Sequence, residues 1–190
     1  MNNVNGPSLT AAHTYTAANA YSIAVKVSRG SSFGSSTFSP VVVFDPNAGS
    51  MDADGWFNAP LGSYPANPAF AGKLHFESDA KFNNGSTIPS GTAKVNLPGR
   101  DFVTTSLSWM TINGSTLQLS GQGTIDNTGN YGFLLTGLDG KLDGKKLPDK
   151  ARIKIWNRAT GAIIYDSQMN SPDNAAPAIV LGGGNVNIKK

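Results

Sequence analysis

The chain of 190 residues contains no cysteine and only two histidines. Disulfide bonds and cysteine-ligated metal centres are therefore excluded. A zinc site needs three or four protein ligands, and His13 and His75 lie too far apart in the sequence to form a recognisable ligand cluster. A serine–histidine–aspartate site would also have to use one of these two histidines. The sequence thus favours a protein without enzymatic activity.

Charged residues make up 14% of the chain, well below the roughly 25% of a typical soluble domain. The net charge of +3 comes from scattered basic residues, and no basic stripe is interleaved with aromatic residues. Nucleic-acid binding is therefore not expected. No apolar run approaches the length of a membrane span.

Turn-forming residues are abundant instead: the chain has 22 glycines, many asparagines and serines, and a single glutamate, Glu77. Asparagine and aspartate favour turns, whereas glutamate favours helices. Short runs with apolar residues at every second position recur along the chain, separated by Gly, Asn, Asp or Pro. We predict an all-β fold of about a dozen strands, arranged as a β-sandwich or jelly roll.

The segment Arg152 to Asp166, RIKIWNRATGAIIYD, is predicted to form the central hairpin of this fold. Ile153 and Ile155 alternate with polar or aromatic neighbours, as expected of a strand with one buried face. The turn at residues 157–161 ends in Gly161, which can adopt a positive φ.

Three regions are predicted along the chain. Residues 1–28 form a small β unit, residues 29–39 form a Gly/Ser-rich linker, and residues 40–190 form the sandwich domain. The linker contains the pattern Gly-x-Ser-x-Gly at residues 30–34. A nucleophile elbow requires a helix after this pattern, and the residues that follow are serine, threonine and proline.

Two sequence segments resemble known bacterial domains. HTYTAANAYSIAVKV, beginning at His13, resembles the last two strands of a PKD domain, an immunoglobulin-like module. The segments RIKIW…YD and LGGG, within residues 44–188, resemble a post-COAP-type C-terminal β-domain. The resemblance implies an extracellular or cell-surface, non-catalytic module. Asn157 and Ala151 depart from the residues expected at their positions, an aspartate and an aromatic residue.

The resemblance and the composition together predict an accessory domain for adhesion or ligand binding at the bacterial cell surface. Met1 to Val4 lack the features of a signal peptide, so we expect the chain to be part of a longer secreted precursor. The expected partner is a polysaccharide or a surface protein. Trp56, Phe57 and Tyr64 lie in a region rich in proline and glycine, where exposed rings would stack on a sugar or a peptide. Trp109 and Trp156 lie in predicted strands and are expected to pack in the core.

Self-association is the alternative. Tyr21, Ile23, Val25 and Val27 would form one apolar face of the N-terminal unit, which has too few strands to cover it. Its free edge would add to a sheet of another chain and build a surface layer or a fibre.

A calcium site is expected in the loop predicted for residues 45–55. Asp45, Asn47, Asp52 and Asp54 offer alternate oxygen ligands there, which is the ligand type that calcium prefers. These residues contain only a fragment of the EF-hand pattern, and Asx turns are the alternative explanation for them.

Calcium should raise the melting temperature if this site is occupied. At about 100 times the dissociation constant, a ligand adds roughly 2.7 kcal/mol to the free energy of unfolding. For a domain of this size that corresponds to a rise of roughly 5–10 °C. Equal melting temperatures in EDTA and in millimolar calcium would exclude the site.

Overall fold

The computed structural model of the protein describes residues 12–144 and 146–189, and strands dominate this part of the chain. A short 3-10 helix, Leu142–Gly144, is the only helical element within it. The strands are β1 Asn19–Arg29, β2 Ser32–Val43, β3 Ser50–Asn58, β4 Lys73–Lys81, β5 Ser90–Leu97, β6 Arg100–Asn113, β7 Thr116–Ile125, β8 Thr128–Leu138, β9 Lys150–Asn157, β10 Ile163–Asp166, β11 Ile179–Val180 and β12 Gly183–Lys189. The prediction of an all-β fold class is confirmed for the described residues.

Strands β1 and β2 form a separate antiparallel hairpin near the N-terminus. Asn19 lies opposite Val43 and Arg29 opposite Ser32, and Gly30 in the turn has a φ of 59°. The linker predicted for residues 29–39 is therefore wrong: this segment is the turn and most of β2. Backbone pairing with β1 orders a sequence whose serine and glycine content is typical of flexible linkers. The predicted domain boundary at residue 40 falls inside β2.

The other ten strands form one curled antiparallel sheet. Strands β3 to β10 follow one another as sequential neighbours, β12 returns to pair with β3, and β11 pairs with β9. The predicted hairpin at residues 152–166 is confirmed as β9 and β10, but its predicted central position is wrong, because β10 lies at one end of the sheet order. Breaks in strand register between Thr104 and Ser106 and between Leu107 and Trp109 interrupt the pairing of β6 with β7.

The concave face of the sheet encloses a single apolar core. In β4 the buried residues Leu74 and Phe76 alternate with exposed ones, as the sequence pattern requires. Phe102 and Phe133 stack with their ring centroids 5.4 Å apart. Full burial of such a side chain contributes roughly 1.5–3 kcal/mol. Other large core residues are Met51, Phe57, Met110, Leu117, Leu119, Ile125, Leu135, Ile153, Ile155 and Tyr165.

Two buried carboxylates hold the returning strand β12 in place on the side opposite to β3. Asp149 Oδ2 accepts a hydrogen bond from the Val186 amide at 2.9 Å, and Asp139 Oδ2 accepts one from the Ile188 amide at 3.1 Å. The second oxygen of Asp149 accepts the Gly140 amide at 2.9 Å. These side chains satisfy edge amides that would otherwise be buried without a partner.

The glycines of the LGGG segment allow a close approach of Trp56. The indole lies directly on Gly182 and Gly183, and a Cβ atom at either position would collide with it. The Lys73 ammonium lies 3.8 Å from the centroid of the Trp56 ring. The LGGG segment therefore has a packing function next to the β3–β12 pair.

Tyr165 provides a test of core burial by its titration. Its side chain is fully buried, and this burial raises the pKa of Tyr165 to about 12. A raised pKa contributes stability that is complete below the unfolded pKa of about 10 and is lost as the pH rises towards 12.

The free energy of unfolding of the variant Tyr165→Phe should therefore increase relative to that of the wild type at alkaline pH. From pH 9 to pH 11 the free energy of unfolding of the wild type should fall relative to that of the variant by about 1.4 kcal/mol. Urea unfolding at both pH values measures this difference. A difference between the two proteins that does not change with pH would contradict the assignment.

Candidate ligand-binding cleft

Two of the three aromatic residues predicted to bind a ligand lie in the core. Phe57 is 0% exposed and lies with its ring centroid 6.0 Å from that of Phe76. Tyr64 is 8% exposed and contacts Phe70 edge to face. Neither ring can serve as a surface platform, because Phe57 lies on the buried face of β3 and the chain after β3 brings Tyr64 into the core. Trp56 is half-buried between its glycines and Lys73, and a ligand contact there stays a prediction.

Trp109 and Trp156, expected in the core, are instead half-buried on the outer face of the sheet. Trp109 in β6 lies opposite Ser120 in β7, and Ser120 lies opposite Leu134 in β8. Trp156 in β9 lies opposite Gly132 in β8, and its ring covers that glycine. Strands β6 and β9 are three steps apart in the sheet, which corresponds to roughly 14 Å. The two indoles thus stand at opposite sides of a shared surface.

A cleft of about 350 Å³ lies between these two tryptophans. Its floor is the outer face of β7 and β8, and one wall is the base of the N-terminal hairpin, including Ser39 and Pro40. The other wall is residues 172–174, part of a segment that we call the strap and define as residues 171–174. The remaining lining residues are Ala20, Ser22, Ser108, Trp109, Gln118, Ser120, Gly121, Gln122, Leu134, Trp156 and Arg158.

Arg152 fixes the strap on the sheet. Its Nη1 donates a hydrogen bond to the carbonyl oxygen of Pro172 at 2.6 Å, and its Nη2 donates one to that of Ser171 at 3.0 Å. Gln118 Nε2 donates to the carbonyl oxygen of Asp173 at 2.8 Å. Three successive carbonyl groups are therefore held by side chains that project from the sheet, and the cleft wall is pre-formed.

A buried ion pair orients this arginine. Arg152 is 0% exposed, and it donates from Nε and Nη2 to the two oxygens of Asp166 at 3.1 and 2.9 Å. Asp166 Oδ1 also accepts the Gln168 amide at 2.9 Å. Removing two charges from water is costly, and such a pair is tolerated when additional hydrogen bonds complete both groups. The strap carbonyls supply these bonds, so the ion pair and the cleft wall depend on each other.

The cleft combines polar and charged side chains with its aromatic ones. Arg158 Nη1 donates to Gln122 Oε1 and, at 3.3 Å, to Asn130 Oδ1. The Asp173 carboxylate lies 2.5 Å from Lys154 Nζ and 3.9 Å from Arg152 Nη2. Gln118 Oε1 is buried and accepts no hydrogen bond from the described residues. The cleft thus offers hydrogen-bonding groups beside two apolar ring surfaces.

The four predicted calcium ligands are not all in one loop. Asp45 Oδ1 accepts the Asn47 amide at 2.8 Å, which is an Asx turn. Strand β3 begins at Ser50, so Asp52 and Asp54 project from a strand and the predicted loop is wrong for them. Within residues 12–144 and 146–189, no three His, Asp or Glu side chains are grouped to hold a metal ion. Calcium binding by these residues stays a prediction.

Comparison with known proteins yields no relative: no family model, curated protein or solved structure matches the chain. The resemblance to PKD and post-COAP-type domains therefore stays a prediction. No helix in the described part of the chain is long and apolar enough to cross a membrane.

Replacing Arg152 by methionine should strongly destabilise the protein. Asp166 would remain buried without its cation, and loss of one partner of a buried pair costs roughly 3–5 kcal/mol. Urea unfolding at pH 7 measures the loss.

Lys189→Met is the matched control, because it removes a cation from the exposed Lys189–Asp52 pair at 3.3 Å. Exposed pairs contribute about 1 kcal/mol or less. Equal losses for the two variants would show that the buried pair does not anchor the strap.

Proposed function

We propose that the protein is a non-catalytic binding module that holds a carbohydrate in the cleft between Trp109 and Trp156. The observation that carries the proposal is the pair of half-buried indoles on one sheet face, with hydrogen-bonding side chains between them. Sugar rings present apolar C–H faces and a rim of hydroxyl groups. Indole surfaces match the faces, and serine, glutamine and arginine side chains match the hydroxyl groups.

The dimensions and rigidity of the cleft support this function. Its volume of about 350 Å³ is at the lower end of the roughly 300–1,000 Å³ of small-ligand sites. Such a volume suits one or a few sugar units at the end of, or within, a longer chain. The strap is held by Arg152 and Gln118 before any ligand arrives, so little ordering free energy is spent on binding.

The cellular setting of this activity is also proposed. We place the module outside the cell or on its surface, as an adhesion or accessory domain of a longer precursor, because its β-rich composition and the PKD-like segment are typical of secreted bacterial proteins. We also retain the sandwich or jelly-roll description as a proposal. It is supported by opposed parts of the curled sheet that share one core, such as Gly137 in β8 and Val186 in β12.

Self-assembly is the second candidate, and the N-terminal hairpin favours it. Val25, Val27 and Phe38 are exposed, and Phe33 near the hairpin tip is 69% exposed. No described strand pairs with the outer edge of either β1 or β2. Exposed apolar side chains on an unpaired edge are the features through which strands add to another chain.

Replacing Trp156 by alanine should abolish most glycan binding. Loss of a central aromatic contact typically costs about 2 kcal/mol, or roughly 30-fold in affinity. Trp109→Ala provides an independent variant on another strand. Binding is measured by screening the wild type on a glycan array and titrating the strongest hit into each variant, with thermal melting as the check on folding.

The matched control is Phe33→Ala, which removes an exposed aromatic ring outside the cleft and should leave glycan affinity unchanged. A wild-type protein without any glycan hit would count against the cleft function. If that protein also forms oligomers in light scattering, and Phe33→Ala disperses them, the self-assembly candidate is favoured.

A further inference from the structure

We infer that the ligand of the cleft is an acidic glycan, in which a sugar residue carries a carboxylate that binds Arg158. This inference rests on the proposed function and specifies its ligand class. It follows from the charges of the cleft, from the donors that Arg158 still has available, and from the way in which its turn is fixed.

The charges around the cleft leave one cation without a carboxylate. Arg152 is paired with Asp166, and Lys154 is paired with Asp173. Arg158 is exposed and makes no ion pair with any carboxylate of the described residues. Its partners, the side-chain oxygens of Gln122 and Asn130, are both neutral. Asp173, the carboxylate that lines the cleft, is paired with Lys154, so Arg158 is the lining charge left for an anionic ligand.

The guanidinium of Arg158 is held with one edge occupied and the other available. Both hydrogen bonds to Gln122 and Asn130 are donated by Nη1. An arginine has five N–H donors in a fixed planar arrangement, so the edge formed by Nε and Nη2 remains. That edge matches the two oxygens of a carboxylate, and such bidentate bonds are stronger than those between neutral groups.

The backbone of the turn also restrains Arg158. Its amide donates to the carbonyl oxygen of Asn130 at 3.1 Å. The preceding Asn157 uses its side-chain oxygen to accept the amides of Ala159 and Thr160 at 2.9 and 3.1 Å. The cation therefore starts from a fixed position beside Trp156, which lowers the entropy lost when an anion binds.

The two tryptophans specify the rest of the ligand. A small anion would gain only the arginine contact, and a neutral sugar would gain the ring contacts and hydroxyl hydrogen bonds without a charged pair. A sugar with a carboxylate on its ring gains both at once, because Trp156 and Arg158 line the same cleft.

The test compares uronate trisaccharides with their carboxyl-reduced counterparts, which differ only in the acid group. Gluco-, galacto- and mannuronate trisaccharides are each titrated into the full chain by isothermal calorimetry. We expect at least one acid to bind about tenfold more tightly than its reduced form, because a charged hydrogen-bonded pair is lost on reduction. This advantage should shrink as sodium chloride is raised.

Arg158→Gln should abolish the preference for the acid. Arg158→Lys should retain part of it, because lysine keeps the positive charge but loses the planar pair of donors that binds both carboxylate oxygens. Arg100→Gln is the control. Arg100 is an exposed arginine paired with Asp126 at 3.0 Å, and it does not line the cleft.

The outcomes separate the two proposals. If acid and reduced sugars bind equally, and Trp156→Ala weakens both, the cleft binds glycans but the acidic class is wrong. If a preference for the acid persists in Arg158→Gln, another cation causes it and the inference is wrong. If none of the sugars binds, both this inference and the carbohydrate function fall.

Discussion

The cleft depends on one buried ion pair, Arg152 with Asp166. Because both groups are removed from water, the pair is tolerated only where hydrogen-bond acceptors surround the guanidinium. Two of those acceptors are strap carbonyls, so the requirement to satisfy a buried charge also determines where the cleft wall lies. The burial of the ion pair and the position of the cleft wall therefore rest on the same four hydrogen bonds.

The outer face of the sheet is unusual for an antiparallel sheet, in which this face is commonly solvated. Here a row of polar residues crosses four adjacent strands and is nevertheless buried beneath the strap and its neighbours: Thr111, Gln118, Thr136 and Arg152. Trp109 lies in the next row on this face and Trp156 in the row after it, and there the covering is incomplete. The cleft lies where this covering by the strap and its neighbours ends, which explains why it has both hydrogen-bonding and apolar walls.

Local alternation predicted much of the fold and little of the site. The pattern of Ile153 and Ile155 correctly places β9 and its buried face. It also implies that Trp156 faces outward. The prediction instead followed the general preference of tryptophan for cores. Trp109 could not be placed in the same way, because the register of β6 breaks twice before it. Phe57 was misplaced because residues 50–58 form strand β3 and not the irregular region predicted there. Tyr64 was misplaced because the inward course of the chain after β3 is decided by packing between residues distant in sequence, not by local propensity. The hairpin contributes the cleft wall at Pro40, and no local pattern links that residue to β7.

The return of β12 to β3 has a consequence for biogenesis. Residues 183–189 pair with residues 50–56, and Asp149 receives them on the other side. A chain that emerges progressively from the ribosome can assemble the intervening hairpins one by one, yet it cannot close its core until this distant segment has arrived. Until then, one flank of β3 stays open as a template for pairing with foreign strands. Nascent or prematurely terminated chains that lack those seven residues are therefore the forms most exposed to aggregation and to proteases.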